Sequence, residues 1–442
     1  MVYELSIEKL VQGGEGLARL PDGRVCFVRG ALPGERCRVE LTGGKKDFAR
    51  GRVLEVLEKS VDRVQPRCPL YGKCGGSSLQ HLDSSKQVPY LEQVERENFR
   101  RMCRQELPEG FVIHQGEPWG YRNRARVVFL GAQAGRCRFG FRKQESNGVV
   151  AVENCPVLTP ALNDFLKNAS VEELFGGAAG KSMGKSAESK RLPKGLEINL
   201  FDNGAGQVSF FYKGMPPKLR EARCPAQVEI QGRHILSDAS VFFQSNLSLL
   251  PRLVQSVQQA VDEGIRSGTA SDNWLIDLFS GVGFFACILR DRFKRITTVE
   301  REPLCLKYAK VNLSVKSACG LKNLGLDPSA AMPPQDDVSR SCTQDDVVEN
   351  IASPAEEWLS KNVVDEPATL IVDPPRTGLP PEALAAIVKS SVQRLIYVSC
   401  DPVTLFRDFS KFRAAGFELK KAEGFAFYPQ TPHLEMMFVL GR

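Results

Sequence analysis

The chain has 442 residues, 42% of them hydrophobic and 25% charged, with a formal net charge of +7. That size predicts two or three folded domains, and no apolar run approaches the ~18 residues of a membrane span. The N-terminus has no basic segment followed by an apolar core, so a cytoplasmic, reducing compartment is expected, where the 13 cysteines suit metal binding or catalysis better than a disulfide framework.

Residues 1–58 alternate apolar and polar positions, with glycine turns at Gly13-Gly14, Gly30 and Gly43-Gly44. Strands over 25–28, 36–41 and 49–56 predict a small β-barrel. Lys45, Lys46, Arg50 and Arg52 gather near one turn, a pattern that fits a nucleic-acid backbone or a solvated hairpin tip. Residues 59–230 form a second expected region, an α+β central domain carrying Cys68, Cys74 and Cys155. Within it, Arg122, Arg124 and Arg126 alternate along a strand-like run and so share one face, which suits phosphates or a solvated edge strand. The stretch 168–195, rich in Gly, Ala, Ser and Lys, reads as a surface loop.

From 231 to 442 the pattern becomes βα alternation, with strands over 275–279, 296–300, 370–373 and 395–398 and a polar insertion over 317–346. This predicts a doubly wound, Rossmann-like α/β domain. In such sheets ligands bind outside the carboxyl ends of the strands. Asp277-Leu278-Phe279-Ser280-Gly281-Val282-Gly283 follows the first strand, and Glu300 ends the next, 23 residues beyond Asp277. Glycines there let a ligand approach the backbone, and the acid suits a ribose diol. The third glycine of a dinucleotide fingerprint is missing, so an adenosine without a pyrophosphate, such as S-adenosylmethionine, fits better. Asp373-Pro374-Pro375-Arg376 makes a stiff corner at a strand end. Gln244 and Asn246 are candidates for ligand contacts or for capping the following helix. Cys400 stands where the strand over 395–398 stops, ahead of Pro402. Glu435 stands at the mouth of the apolar strand over 436–440, where a carboxylate would have a raised pKa and could accept a proton.

Ser-Cys-Asp-Pro at 399–402, Asp-Pro-Pro-Arg at 373–376 and His-Leu-Glu at 433–435 together resemble the RNA 5-methyluridine methyltransferases, and the likeness covers nearly the whole chain. It implies an N-terminal TRAM domain that binds RNA, a cysteine-bearing central domain and an S-adenosylmethionine-dependent methyltransferase domain, acting as a monomer. It assigns Cys400 as nucleophile, Glu435 as general base, and Gln244, Phe279, Glu300 and Asp373 as cofactor contacts. Phe284 replaces the family's asparagine, so one cofactor contact is lost or taken over by packing. The N-terminal barrel favours ribosomal RNA over transfer RNA, because family members acting on transfer RNA typically lack it. An RNA-binding factor without catalysis is the reading from another class, and the intact Cys400 and Glu435 argue against it. Methylation of cytosine is disfavoured because its usual Pro-Cys or Thr-Cys motif is absent around Cys400. Members of this type often carry a [4Fe–4S] cluster, which implies Cys68, Cys74 and Cys155 as metal ligands. Ser77 occupies the third ligand position, so a cluster on three thiolates and a loop held by packing both stay open.

Overall fold

Eight strands form the sheet on which the rest of the molecule is built. Their order is Val347–Ala352, Arg295–Glu300, Trp274–Leu278, Ala368–Val372, Val392–Ser399, Glu435–Gly441, Glu418–Ala426 and Val112–Gln115. The first five run parallel, and Glu435–Gly441 runs antiparallel between Val392–Ser399 and Glu418–Ala426. The computed structural model describes residues 1–144, 146–176, 194–314 and 347–442. The expected insertion over 317–346 lies outside them, as do 177–193 of the expected loop; the start of that loop is instead a short helix, Val171–Phe175, capped by Ser170.

The central parallel strands Trp274–Leu278, Ala368–Val372 and Val392–Ser399 are buried along nearly their whole length because both faces are covered. On one face lie the helices Leu250–Arg266, Phe284–Leu289 and Pro303–Asn312. On the other lie Ala355–Lys361, Pro381–Lys389, Pro402–Ala414 and, from far upstream, Ser84–Cys103. Phe99 of that last helix is fully buried among Phe406, Phe409 and Phe438, with ring centroids 5.1 to 5.8 Å away. Residues 84–115 therefore belong physically to the catalytic sheet, although they fall within the 59–230 region expected from the sequence. An amphipathic helix records that it has a partner, not which one. The chain leaves Trp274–Leu278 toward one sheet edge and later returns to its other side at Ala368–Val372. The crevice of the doubly wound fold opens at this switch point.

Residues 1–58 form a six-stranded curved sheet in the order Val2–Ser6, Arg36–Gly44, Phe48–Glu58, Val25–Arg29, Gly16–Arg19, Lys9–Leu10. Cys26, Val28, Cys37 and Val39 alternate into its core, each with no exposed surface. Two members of the expected basic cluster are paired on the surface: Arg50 with Glu15 at 2.8 Å and Arg52 with Glu40 at 2.7 Å. A five-stranded antiparallel sheet occupies the middle of the chain, in the order Val149–Val152, Arg136–Arg142, Arg124–Gln133, Glu197–Asp202, Val208–Tyr212.

The expected arginine face is not formed. Arg122 precedes its strand, and its Nε donates to the Arg124 carbonyl. Arg124 is turned inward, donating from Nη2 to the Val241 carbonyl at 2.6 Å and lying 4.6 Å from the Phe201 ring centroid. Arg126 alone is exposed. The strand is internal to its sheet, with both backbone edges paired, while Arg126, on the same face as Arg124, stays in solvent.

Candidate active site

Strand Trp274–Leu278 delivers the chain into a tight left-handed turn, with φ of 61° at Phe279, 54° at Gly281 and 75° at Gly283. A non-glycine residue in this region costs about 1 kcal/mol or more and is held only where its surroundings demand it. A Cβ on Gly281 would meet nothing within 4 Å, whereas on Gly283 it would come within 3.1 Å of Ala309 Cβ. The first glycine keeps space open above the loop, and the second lets the helix Pro303–Asn312 close in. Glu300 Oε2 accepts from the Gly281 N–H at 2.9 Å and its Oε1 from the Glu302 N–H at 2.8 Å. That fixes the carboxylate at the end of its strand.

Gln244 Oε1, Asp277 Oδ1 and Ser280 Oγ are buried without a hydrogen-bond partner. Each such group costs about 1–3 kcal/mol, and orphaned acceptors in a glycine-lined turn are what a polar ligand satisfies. Asp277 is fully buried, and its carboxyl is pushed up to about 8 by that burial. Its other oxygen accepts from the Ala286 N–H at 3.1 Å. These residues fit an adenosine-bearing ligand. Asn246 takes the structural option: its Oδ1 accepts from the Leu249 N–H and the Ser248 hydroxyl at the start of the helix Leu250–Arg266. Phe284 is packed edge-on against Phe243 and Phe285, so packing stands where a polar contact was expected.

Cys400 lies between the end of strand Val392–Ser399 and the helix Pro402–Ala414. Asp401 caps that helix, its Oδ1 accepting from the Thr404 N–H at 2.9 Å. The cysteine remains partly exposed. Glu435, at 3% exposure, opens the neighbouring strand. Ser399 pairs with Met436, so the next antiparallel pair along the ladder brings Cys400 opposite Glu435. Asp373 follows strand Ala368–Val372 at the same rim.

Electrostatics link the three groups. The Cys400 thiol is pushed up to about 12 by burial and then by the charges of Glu435 and Asp373, with Arg376 opposing. Glu435 is raised by burial and by Asp373, again against Arg376, and burial raises Asp373. Like charges close together in a desolvated rim cannot all ionise. Its walls are stiff. Fully buried Asp408 accepts from the Tyr397 hydroxyl and the Leu379 N–H, both at 2.9 Å. Arg407 donates to the Thr377 carbonyl at 2.9 Å. The corner after Asp373 is thereby pinned to the helix that follows Cys400.

Arg376 and His433 stand exposed beside this group; the motifs contain them, but neither had been assigned a role. Gln430 and its partner Gln87 gave no local signal, because their contacts join residues more than three hundred positions apart.

The three predicted metal-site thiols share one neighbourhood. Burial raises Cys74 and Cys155; Cys68 raises Cys74 further, and Cys68 and Cys74 both raise Cys155. The Cys74 sulfur accepts from the Gly76 N–H at 3.4 Å, and Ser77 Oγ accepts from Gln80 Nε2 at 2.6 Å. Among the described residues no three His, Cys, Asp or Glu side chains converge closely enough to hold a metal ion. With a committed hydroxyl in place of the fourth thiolate, the donor set does not fit a [4Fe–4S] cluster, which takes four cysteines.

The sheet order, the glycine turn and the acid at the second strand's end define a Rossmann-like S-adenosylmethionine-dependent methyltransferase domain. Comparisons with known proteins agree. Residues 1–54 match the TRAM domain, and residues 361–442 match the tRNA (Uracil-5-)-methyltransferase family. The 23S rRNA (uracil(1939)-C(5))-methyltransferase RlmD of Shewanella amazonensis is 30% identical, covering 98% of this chain and 94% of that protein. The protein of the same name from Halomonas elongata is 30% identical over 99% of this chain and 89% of its own length. Among solved structures, the Pyrococcus abyssi tRNA (uracil-54, C5)-methyltransferase in complex with S-adenosyl-L-homocysteine superimposes with a TM-score of 0.67 at 20% identity, over 99% of both chains. The chain belongs to the RNA uracil-C5 methyltransferases. No helix among the described residues is long and apolar enough to cross a membrane.

Proposed function

We propose that this chain methylates C5 of a uridine in 23S ribosomal RNA, with Cys400 as the nucleophile and Glu435 as the general base. The observation that carries the reading is the register of Ser399 with Met436, which sets the sulfur and the carboxyl side by side at the sheet rim. Uracil C5 is a weak nucleophile. Cys400 gives up its thiol proton to solvent, and the thiolate adds to C6, forming an S–C bond and moving the C5=C6 electrons toward C5 and O4, so that C5 can attack an electrophile. S-adenosylmethionine, when bound, supplies the electrophilic methyl group. After transfer, Glu435 removes the C5 proton, the C5=C6 bond re-forms, and the S–C6 bond breaks to release Cys400. Gln244, Phe279, Glu300 and Asp373 would hold the cofactor. The target base must leave its stack to reach the sulfur, and the N-terminal TRAM domain supplies RNA contacts away from the reacting base. One chain provides every group, so a monomer suffices.

The choice of ribosomal RNA rests on the two 30%-identical relatives and their near-complete coverage. The N-terminal barrel no longer discriminates, since the Pyrococcus transfer-RNA enzyme superimposes over 99% of this chain. Methyl transfer to in vitro transcribed 23S rRNA and tRNA tests the reading. The wild type should label uridine C5 in 23S rRNA. Cys400→Ser should give neither product nor a denaturant-resistant RNA adduct, and Glu435→Gln should retain the adduct. Near-normal turnover by Cys400→Ser refutes the mechanism, and labelling of tRNA alone reassigns the substrate.

A further inference from the structure

Five residues before Glu435, Gln430 is fully buried yet holds a left-handed backbone, φ 68°. All its polar groups are engaged. Its N–H donates to Gln87 Oε1 at 2.9 Å, and its carbonyl accepts from the N–H groups of Ser78 at 3.0 Å and Leu79 at 2.9 Å. Its side-chain Nε2 donates to Ser84 Oγ at 2.9 Å, and its Oε1 accepts from Gln87 Nε2 at 3.0 Å. Gln87 is itself 2% exposed. The residues on either side are held as well: the Tyr121 hydroxyl donates to the Pro429 carbonyl at 2.8 Å, and a Cβ on Gly14 of the N-terminal sheet would lie 3.2 Å from Pro432 Cβ. A glutamine with positive φ relaxes unless its surroundings forbid it. Here the helix Ser84–Cys103, the cysteine-bearing loop and the N-terminal sheet all forbid it.

The geometry points to Gln430, latched by Gln87, as a positioning residue for the general base. On its C-terminal side Glu435 is fixed by the strand ladder, opposite Phe425 and next to the Ser399–Met436 pair. On its N-terminal side only residues 431–434 separate it from the Gln430 corner. The corner carries no group that reaches the reaction; it sets where the carboxyl stands relative to Cys400 and keeps water from it. The inference rests on the assignment of Glu435 as base. It extends that assignment by making the helix Ser84–Cys103 and the loop over 68–80 structural parts of the catalytic centre.

Full-length Gln430→Ala and Gln87→Leu, assayed on in vitro transcribed 23S rRNA, test it. A misplacement near 1 Å costs on the order of 100-fold in rate, so kcat should fall by about that much in Gln430→Ala. KM for RNA should not rise, because the variant keeps the groups that bind it. Cys400 still adds, so the covalent RNA adduct should accumulate. Once water reaches Glu435, the acid limb of the kcat–pH profile should move down toward ordinary carboxylate values. Gln87→Leu, which cuts the latch but leaves the corner residue, should show the same pattern in milder form and serves if Gln430→Ala does not fold. Adduct formation and turnover falling together, or an unmoved pH limb, overturns the inference. If Glu435→Gln itself accumulates no adduct, the base assignment fails instead, and the positioning role fails with it.

Discussion

Cys400 and Glu435 sit one step beyond the last ladder pair of two antiparallel strands, Ser399 with Met436. Two residues 35 positions apart in the chain thus become neighbours through backbone hydrogen bonding alone. The strands that carry them are buried along nearly their whole length, so a slip of one residue would exchange the side chains packed into the cores on the two faces of the sheet. The reactive pair inherits its alignment from the core.

The same burial makes the fold sensitive to alkali. Asp277 and Glu95 are both pushed up to about 8, chiefly by burial, and Glu435 is raised for the same reason. The folded chain therefore keeps protons that the unfolded chain has released above pH ~4–5. Stability from these groups is full below the unfolded pKa and is lost as pH rises through the folded one. His81, lowered to about 4 by burial, works in the other direction, but its contribution is complete once the unfolded histidine is neutral near pH ~7. The apo protein should accordingly lose thermal stability between pH ~7 and ~8, by up to about 1.4 kcal/mol per pH unit for each group that titrates. Glu435→Gln removes one such group and should flatten the decline. Scanning calorimetry of both proteins across this range checks it, and identical slopes would contradict the burial of Glu435.

Gln244 offers a buried acceptor with no partner. Removing it should not harm the apo fold, since an unsatisfied group is being deleted. Gln244→Leu is expected to leave the apo melting temperature unchanged or slightly raised while weakening S-adenosylmethionine binding about tenfold, the worth of one lost hydrogen bond. Titration calorimetry paired with thermal melts reads both quantities. Unchanged affinity would remove Gln244 from the cofactor site.

Asp408 is the opposite case, a fully buried carboxylate with every partner in place. Asp408→Ala strands the Tyr397 hydroxyl and the Leu379 N–H, two buried neutral donors worth about 1–3 kcal/mol each when unsatisfied, and should lower stability by about 2–6 kcal/mol. It also frees the corner after Asp373. Denaturant unfolding gives the first effect; a loss of cofactor affinity measured under native conditions gives the second. A variant as stable as the wild type would show that the corner is held by its prolines alone.

Much of this architecture was legible in the chain. The two residue periods, 2 in the N-terminal sheet and βα alternation beyond residue 231, follow from which faces must be apolar. The glycine turn before Phe284, the acid at Glu300 and the cysteine at a strand end are local features, and local features survive in sequence. What the sequence did not reveal is pairing. It showed Arg122, Arg124 and Arg126 as a stripe, yet Arg124 is half-buried over the Phe201 ring and bonded to the Val241 carbonyl, partners far along the chain. It gave no sign that residues 84–115 complete the catalytic sheet, or that Gln87 meets Gln430. Composition and motif determined the family and the reactive residue types. Only the tertiary structure decided which sulfur faces which carboxyl and what holds them there, because burial and hydrogen-bond partnership depend on contacts between residues from tens to hundreds of positions apart.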